Sequence, residues 1–126
     1  MIAVDNKSLV QEYWNALSGN VKTPALVEKY VADPHLKEHI AFFEAAFPRY
    51  EMIADDFICE GDKVVVRARA RGVHKGNLMG MPPSGKAIEV PFIAVYQVAG
   101  GKIVKSWLAT DRMEMMEQLG AMPSNN

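Results

Sequence analysis

The chain has 126 residues, of which 49% are hydrophobic and 23% charged, a size and composition that fit one compact domain over residues 1–126. A net charge of -1, with both signs scattered, leaves no basic surface for nucleic acid or for an anionic membrane. We therefore expect a neutral or small partner.

The N-terminal segment MIAVDNKSLV carries a charged residue, Asp5, where a secretory signal peptide needs its apolar core. No stretch of the chain approaches the roughly 20 consecutive apolar residues of a membrane span. The single cysteine, Cys59, cannot form a disulfide within the chain, so folding does not require an oxidising compartment. These features predict a cytoplasmic protein without a membrane segment.

Three short helices are predicted in the first part of the chain. The first has apolar residues at helical spacing: Leu9, Val10, Tyr13, Trp14 and Leu17. Thr23 followed by Pro24, and Asp33 followed by Pro34, are typical of an N-cap and a first-turn proline. The third helix stops at Pro48 and has its own apolar stripe: Leu36, Ile40, Phe43 and Phe47.

After Pro48 the apolar residues recur at every second position, which is the period of a β-strand. The pattern covers four segments: 49–60, 62–76, 86–99 and 102–110. The separators at 60–62 and 99–101 are glycine-containing hairpin turns. We predict a four-stranded antiparallel meander.

The second strand has two different faces. Its inner face carries small or apolar side chains and one histidine: Val64, Val66, Ala68, Ala70 and His74. Its outer face carries three arginines: Arg67, Arg69 and Arg71. The small inner residues leave room for a cavity between the sheet and the helices. An α+β fold follows, with a curved antiparallel sheet packed on the N-terminal helices.

Two motifs indicate chemistry that the rest of the sequence does not support. HLKEH at 35–39 matches a zinc-protease pattern, but it lacks a third ligand and His35 falls in an exposed first turn. GMPPSGKA at 80–87 is close to a phosphate-binding loop, but two prolines remove amide donors and a strand follows instead of a helix. We expect no metal and no nucleotide.

Histidines and methionines each allow two interpretations. His39 adjoins the apolar stripe of the third helix and His74 lies on the inner face, where a histidine is more often structural than catalytic. Five methionines flank the predicted cavity: Met79, Met81, Met113, Met115 and Met116. They either fill gaps in the core or form a pliable wall for a flat apolar ligand.

Asp111 stands between the last strand and the helical segment that ends the chain. With Glu114 three residues later it resembles a capping box, which needs no further explanation. The alternative is that its carboxylate is the acid and base of an active site. Position alone favours the cap.

The chain resembles the SnoaL-like polyketide cyclases, or ester cyclases, of the nuclear-transport-factor-like superfamily. The motifs that carry this resemblance are ordered over about 60 residues: EGDKVVVR, G-x-H-x-G at 72–76, MGMPPSGK, GKIVKSW, W-x-x-x-D at 107–111 and the closing QLG. The family fold is a cone with an internal pocket. The resemblance therefore implies a cone-shaped domain with a pocket between the helices and the bent sheet.

The resemblance also implies a reaction. The aspartate of W-x-x-x-D is the acid/base of the family's cyclases, and it corresponds to Asp111; His39 is a second, less certain match to a site residue. The implied reaction is an aldol-type ring closure of a small carbonyl compound that needs no cofactor. Such a base requires dry surroundings, which we expect from Trp107, Met81 and Met115. The predicted substrate-binding residues are His74, Trp107, Met81, Met115, Trp14 and Phe43.

Two further expectations concern the class of protein and its assembly. The alternative to a cyclase is a non-catalytic small-molecule binding domain of the same fold. The outer face of the sheet mixes the arginines with apolar residues, which predicts a homodimer or higher oligomer formed through that face. These apolar residues are Val65, Val73, Ile93 and Val95.

Overall fold

The computed structural model describes residues 5–120. In this range three helices precede a continuous four-stranded sheet, and a fourth helix follows it. The elements are α1 Asn6–Leu17, α2 Pro24–Tyr30, α3 Pro34–Ala46, β1 Glu51–Glu60, β2 Lys63–Val73, β3 Ala87–Ala99, β4 Lys102–Thr110 and α4 Arg112–Leu119. The first four residues of the N-terminal segment considered above lie outside this range. Within 5–120, no helix combines the length and apolarity that crossing a bilayer requires.

The helices begin where the sequence predicted, because each start has a local hydrogen-bonding signal. The Thr23 hydroxyl accepts a hydrogen bond from the amide of Leu26 at 3.2 Å, and Asp33 Oδ1 accepts one from the amide of His35 at 3.1 Å. The following prolines occupy the first helical turn, where no amide donor is needed. The predicted α2 and α3 are confirmed.

The sheet is an antiparallel meander in the order β1-β2-β3-β4, which confirms the predicted topology and the α+β class. The register shifts between Ala54 and Asp56 and again between Gln97 and Val98. Such bulges increase local twist and bend the strands. The bent sheet leaves one face covered by α1 and α3 and the other face open.

The alternation of β2 has the predicted direction. Val64, Val66 and Ala68 are buried under the helices, whereas Arg67 and Arg71 are exposed on the open face. The arginines there pair with carboxylates of neighbouring strands, since Arg69 lies 2.9 Å from Asp55 and Arg71 lies 3.0 Å from Glu51. Solvent screens such exposed pairs, so they add little to stability.

β2 is shorter than predicted, because the chain turns away from the sheet after Val73 to contact α3. The amides of Lys75 and Gly76 both donate to the Ala46 carbonyl, at 3.0 and 3.1 Å. A Cβ on Gly76 would overlap the carbonyl oxygen of Ala45. Glycine is therefore required here by a close backbone approach.

We predict that Gly76→Ala lowers the free energy of unfolding by at least about 2 kcal/mol, as expected for an overpacked contact whose neighbour is backbone. The control is Gly61→Asn, at a turn glycine with φ 60° where a Cβ would meet no atom within 4 Å. Asparagine tolerates that conformation, so the control should change stability by less than about 0.5 kcal/mol. Equal urea midpoints for Gly76→Ala and wild type would contradict the contact.

Candidate functional site

A cavity of about 50 Å³ lies between the helices and the inner face of the sheet. Most of its wall is apolar: Leu36, Ile40, Phe43, Phe47, Met52, Ala70, Ile88, Val90, Phe92, Leu108 and Met115. Its polar residues come from five different elements and one connecting segment: Tyr13, His39, Tyr50, Arg71, Tyr96 and Thr110. A ligand in this cavity would meet few polar atoms, each in a fixed place.

Three buried tyrosines supply hydroxyl groups to the cavity. Burial raises the pKa of Tyr13, Tyr50 and Tyr96, so each hydroxyl keeps its proton at neutral pH. The Tyr96 oxygen accepts a hydrogen bond from Trp14 Nε1 at 3.1 Å. The Tyr13 hydroxyl also hydrogen-bonds to Tyr96, with Tyr13 as the donor and Tyr96 as the acceptor. The proton of the Tyr96 hydroxyl can then be donated to a ligand.

His39, on α3, is half-buried in the cavity wall, with its ring 4.8 Å from that of Phe43. Burial lowers the pKa of His39, and the positive charges of His35 and Arg112 lower it further. The imidazole is therefore unprotonated at neutral pH and can accept a proton. An apolar cavity thus contains one base and several hydroxyl donors.

A second space of about 320 Å³, here called the mouth recess, adjoins the cavity. It is lined by His35, His39, Ser106, Trp107, Leu108, Thr110 and Arg112. His39, Leu108 and Thr110 also line the cavity, so the two spaces meet at these side chains. His39 is in consequence reachable from both.

Asp111 is placed at the N-cap of α4 and is exposed. Its Oδ1 accepts a hydrogen bond from the amide of Glu114 at 3.0 Å, so the predicted cap is confirmed. It does not line the cavity; it borders a groove on the open face of the sheet with Arg67, Arg69 and Ile93. The acid/base role of Asp111 stays a prediction, without the dry surroundings it was expected to have.

Those surroundings were expected from three residues, of which only Met115 is buried and lines the cavity. Trp107 is 45% exposed and lines the mouth recess instead. Met81 packs partly buried against the core, outside the cavity lining. Trp107 points away from the cavity because successive strand residues alternate sides, and Leu108 takes the inward position.

Of the remaining predicted substrate-binding residues, one lines the cavity and two do not. Phe43 lines the cavity. Trp14 lies behind the wall, stacked on Phe92 with ring centres 5.6 Å apart. His74 is 1% exposed and outside the lining; its Nδ1 accepts from the Ser84 amide at 3.2 Å and lies 2.9 Å from the Ser84 hydroxyl. His74 therefore holds the loop after β2 in place through its hydrogen bonds to Ser84, and it does not face the cavity.

Sequence reasoning missed the tyrosines and Arg112 as site residues. Tyr96 carried a usable signal, because it shares the inward parity of Val90, Phe92 and Ala94 on β3 and is the only polar residue among them. Arg112 had no such signal, since its place depends on how α4 packs against β3.

The histidines of HLKEH do not gather further ligands. His35 is exposed, as predicted, and His39 belongs to the cavity wall. In the part of the chain from 5 to 120, no three His, Cys, Asp or Glu side chains are close enough together to hold a metal ion.

The family model for SnoaL-like polyketide cyclases matches residues 6–119. The chain belongs to this family. No curated protein matches it by sequence. The family assignment agrees with the fold.

Solved structures of this fold come from proteins with different proposed activities. A proposed SnoaL-like polyketide cyclase from Jannaschia sp. CCS1 is 25% identical, covers 94% of this chain and 93% of its own, and has a TM-score of 0.76. AclR, a proposed hydroxylase from Streptomyces galilaeus, is 19% identical, with coverages of 96% and 84% and a TM-score of 0.80. A Catenulispora acidiphila protein with a ketosteroid isomerase-like fold is 18% identical, with coverages of 89% and 92% and a TM-score of 0.69.

The depressed pKa of His39 predicts a particular dependence of stability on pH. The folded value lies below the ordinary 6.5, so the unfolded chain binds this proton more readily. Wild type should lose stability relative to His39→Gln as the pH falls from about 6.5 towards the folded pKa. Urea unfolding of both proteins between about pH 5 and pH 8 measures the difference, and NMR titration of the ring gives the pKa directly. Parallel stability profiles and a ring pKa at or above 6.5 would contradict this account.

Proposed function

We propose that this protein catalyses acid/base chemistry on a small carbonyl compound, with a cofactor-independent aldol-type ring closure as the reaction. The observation that carries the proposal is the presence of an unprotonated imidazole and a free tyrosyl proton in one apolar cavity. Membership of the SnoaL-like family supports the same reaction class.

In the proposed reaction His39 is the base. Its imidazole removes a proton from a methylene group beside a carbonyl, which leaves an enolate and an imidazolium. The enolate carbon attacks a second carbonyl of the same molecule and forms the new carbon–carbon bond. The imidazolium then returns its proton to the resulting alkoxide. Protons balance, and the substrate's own carbonyls delocalise the charge, so the step requires no cofactor.

Tyr96 is proposed to stabilise the enolate oxygen. Its hydroxyl is neutral, buried and oriented by the hydrogen bond from Trp14, so little reorganisation is needed when charge develops on the ligand. Because the surroundings are apolar, a donor here acts more strongly than in water. Tyr50 offers a second buried hydroxyl in the same wall.

The dimensions of the cavity favour a small substrate. An engineered protein cavity of about 150 Å³ binds benzene, and the cavity here measures about 50 Å³. A large fused-ring polyketide would not fit without rearrangement of the wall. A short-chain ketone, or a longer ligand that extends into the mouth recess, matches the space.

Isotope exchange separates His39 from Asp111 as the base. We expect wild type to accelerate deuterium exchange into the carbon next to the carbonyl of acetone, a ketone small enough for the cavity. His39→Gln should lose at least about a hundredfold of that acceleration, and Tyr96→Phe about a hundredfold. Asp111→Asn should retain most of it, because asparagine also serves as an N-cap. Proton NMR in heavy water follows the rate, and circular dichroism checks that each variant is folded.

The opposite ranking would overturn the role of His39. If Asp111→Asn loses exchange and His39→Gln keeps it, the aspartate is the acid/base, as the family pattern implies. If wild type binds ketones but no variant differs in exchange, the protein is a small-molecule binding domain. Both results can be told apart from misfolding by ligand-observed NMR.

We also propose a homodimer formed through the open face of the sheet. A row of apolar residues crosses all four strands in register: Ile58, Val65, Val95 and Trp107. Ile93, on the same face, is 45% exposed. Burial of this surface against a second copy would remove it from water, which is the common reason for a two-fold interface.

The dimer proposal predicts that Ile93→Lys shifts the protein towards the monomer of 14.0 kDa. A lysine in the apolar contact would be desolvated without a partner. The control is Met113→Lys, which adds the same charge at an exposed apolar residue of α4 and should leave the assembly unchanged. Light scattering during size-exclusion chromatography gives the masses. A monomeric wild type at tens of micromolar would rule the interface out.

A further inference from the structure

Arg112 brings an uncompensated positive charge to the mouth recess. Within residues 5–120 its guanidinium has no ion pair. Two carboxylates have other hydrogen-bond partners: Asp111, next to Arg112 in the chain, and Asp33, which contacts the recess residue Ser106. Asp111 accepts the amide of Glu114, and Asp33 accepts the amide of His35 and the hydroxyl of Ser106, both at 3.1 Å. The five guanidinium donors of Arg112 remain available to a ligand.

The cavity and the recess differ in chemistry although they share His39, Leu108 and Thr110 as lining residues. The cavity wall is mainly apolar with buried hydroxyls, whereas the recess adds His35, Ser106 and Arg112 beside the apolar Trp107. A ligand that occupies both spaces must therefore have an apolar end and a polar end. The cavity volume of about 50 Å³ also leaves part of any ligand larger than a few heavy atoms in the recess.

The charge of Arg112 acts where the two spaces meet. It helps to lower the pKa of His39, after burial and the charge of His35. Arg112 therefore contributes a positive potential at the inner edge of the recess. That potential opposes a cationic ligand and attracts an anionic one.

We propose that the mouth recess binds the carboxylate of a small keto acid, whose apolar chain and ketone occupy the cavity. Arg112 would bind the carboxylate through paired N–H donors, the geometry in which arginine recognises carboxylates best. The inference rests on the proposed function in one respect, because the same cavity receives the reactive end of the ligand. It adds the class of substrate: a free acid, with its charge held outside the apolar wall.

The test compares keto acids with their methyl esters, using levulinate, its longer homologues and the corresponding esters. Wild type should bind at least one acid about tenfold more tightly than its ester, the effect of one charge-assisted contact. Arg112→Gln should abolish that preference by weakening the acid alone, and Arg112→Lys should retain part of it. Ligand-observed NMR or calorimetry gives the dissociation constants.

Lys7→Gln is the matched control, since it also removes one positive charge from an exposed position. The neighbouring Asn6 donates to the Gly61 carbonyl in the β1–β2 turn, at the end of the sheet away from Arg112. This variant should keep the preference for the acid. A second readout is the ring pKa of His39, which should rise when the acid binds and stay unchanged with the ester, because a nearby anion favours the imidazolium.

Equal binding of acid and ester by wild type, or an unchanged preference in Arg112→Gln, would overturn the carboxylate site. In either case continued exchange of neutral ketones would leave the proposed chemistry intact. Binding of the acids with the expected preference, but no isotope exchange, would support the carboxylate site and overturn the catalytic proposal. The two claims can therefore fail separately.

Discussion

The hydrogen bond from the Trp14 indole N–H to the Tyr96 hydroxyl joins the first helix to the third strand inside the core. Both groups are buried, and an unsatisfied polar group there would cost about 1–3 kcal/mol. The ring of Trp14 also stacks on Phe92, so one side chain fixes α1 over β3 by a polar and an apolar contact. These contacts set the separation of α1 from β3. Because the Ala70 side chain is also small, a cavity remains between the helices and the sheet.

The chemical state of each group in that space follows from its surroundings. Burial keeps the tyrosyl hydroxyls protonated and the His39 imidazole unprotonated, so a donor and an acceptor of protons coexist at neutral pH. Arg112 remains charged at the rim, where solvent reaches it. The arrangement separates an apolar reaction space from a charged entrance. In the proposed reaction the base is His39, which lines the cavity, and not the aspartate of the family motif, which does not.

Local signals explain how much of the fold could be predicted. Thr23 and Asp33 start helices through bonds to amides two or three residues away, and the two-residue period of the strands depends only on neighbours in sequence. The juxtaposition of His39, Tyr96 and Arg112 depends on how three elements pack, and no local pattern encodes it. The sequence could have predicted that Asp111 faces away from the cavity. Leu108 and Thr110 point inward, and Asp111 follows at the alternate position. The acid/base role predicted for Asp111 came from the family motif W-x-x-x-D, which does not take this alternation into account.

The central claim is that a ketone binds in the cavity with its oxygen on the Tyr96 hydroxyl. Infrared difference spectroscopy of an isotope-labelled ketone, bound to wild type and to Tyr96→Phe, measures this hydrogen bond directly. The account predicts a carbonyl stretch in wild type well below that of the ketone in an apolar solvent, and a return towards the apolar-solvent frequency in Tyr96→Phe. The same stretching frequency in both proteins would contradict it.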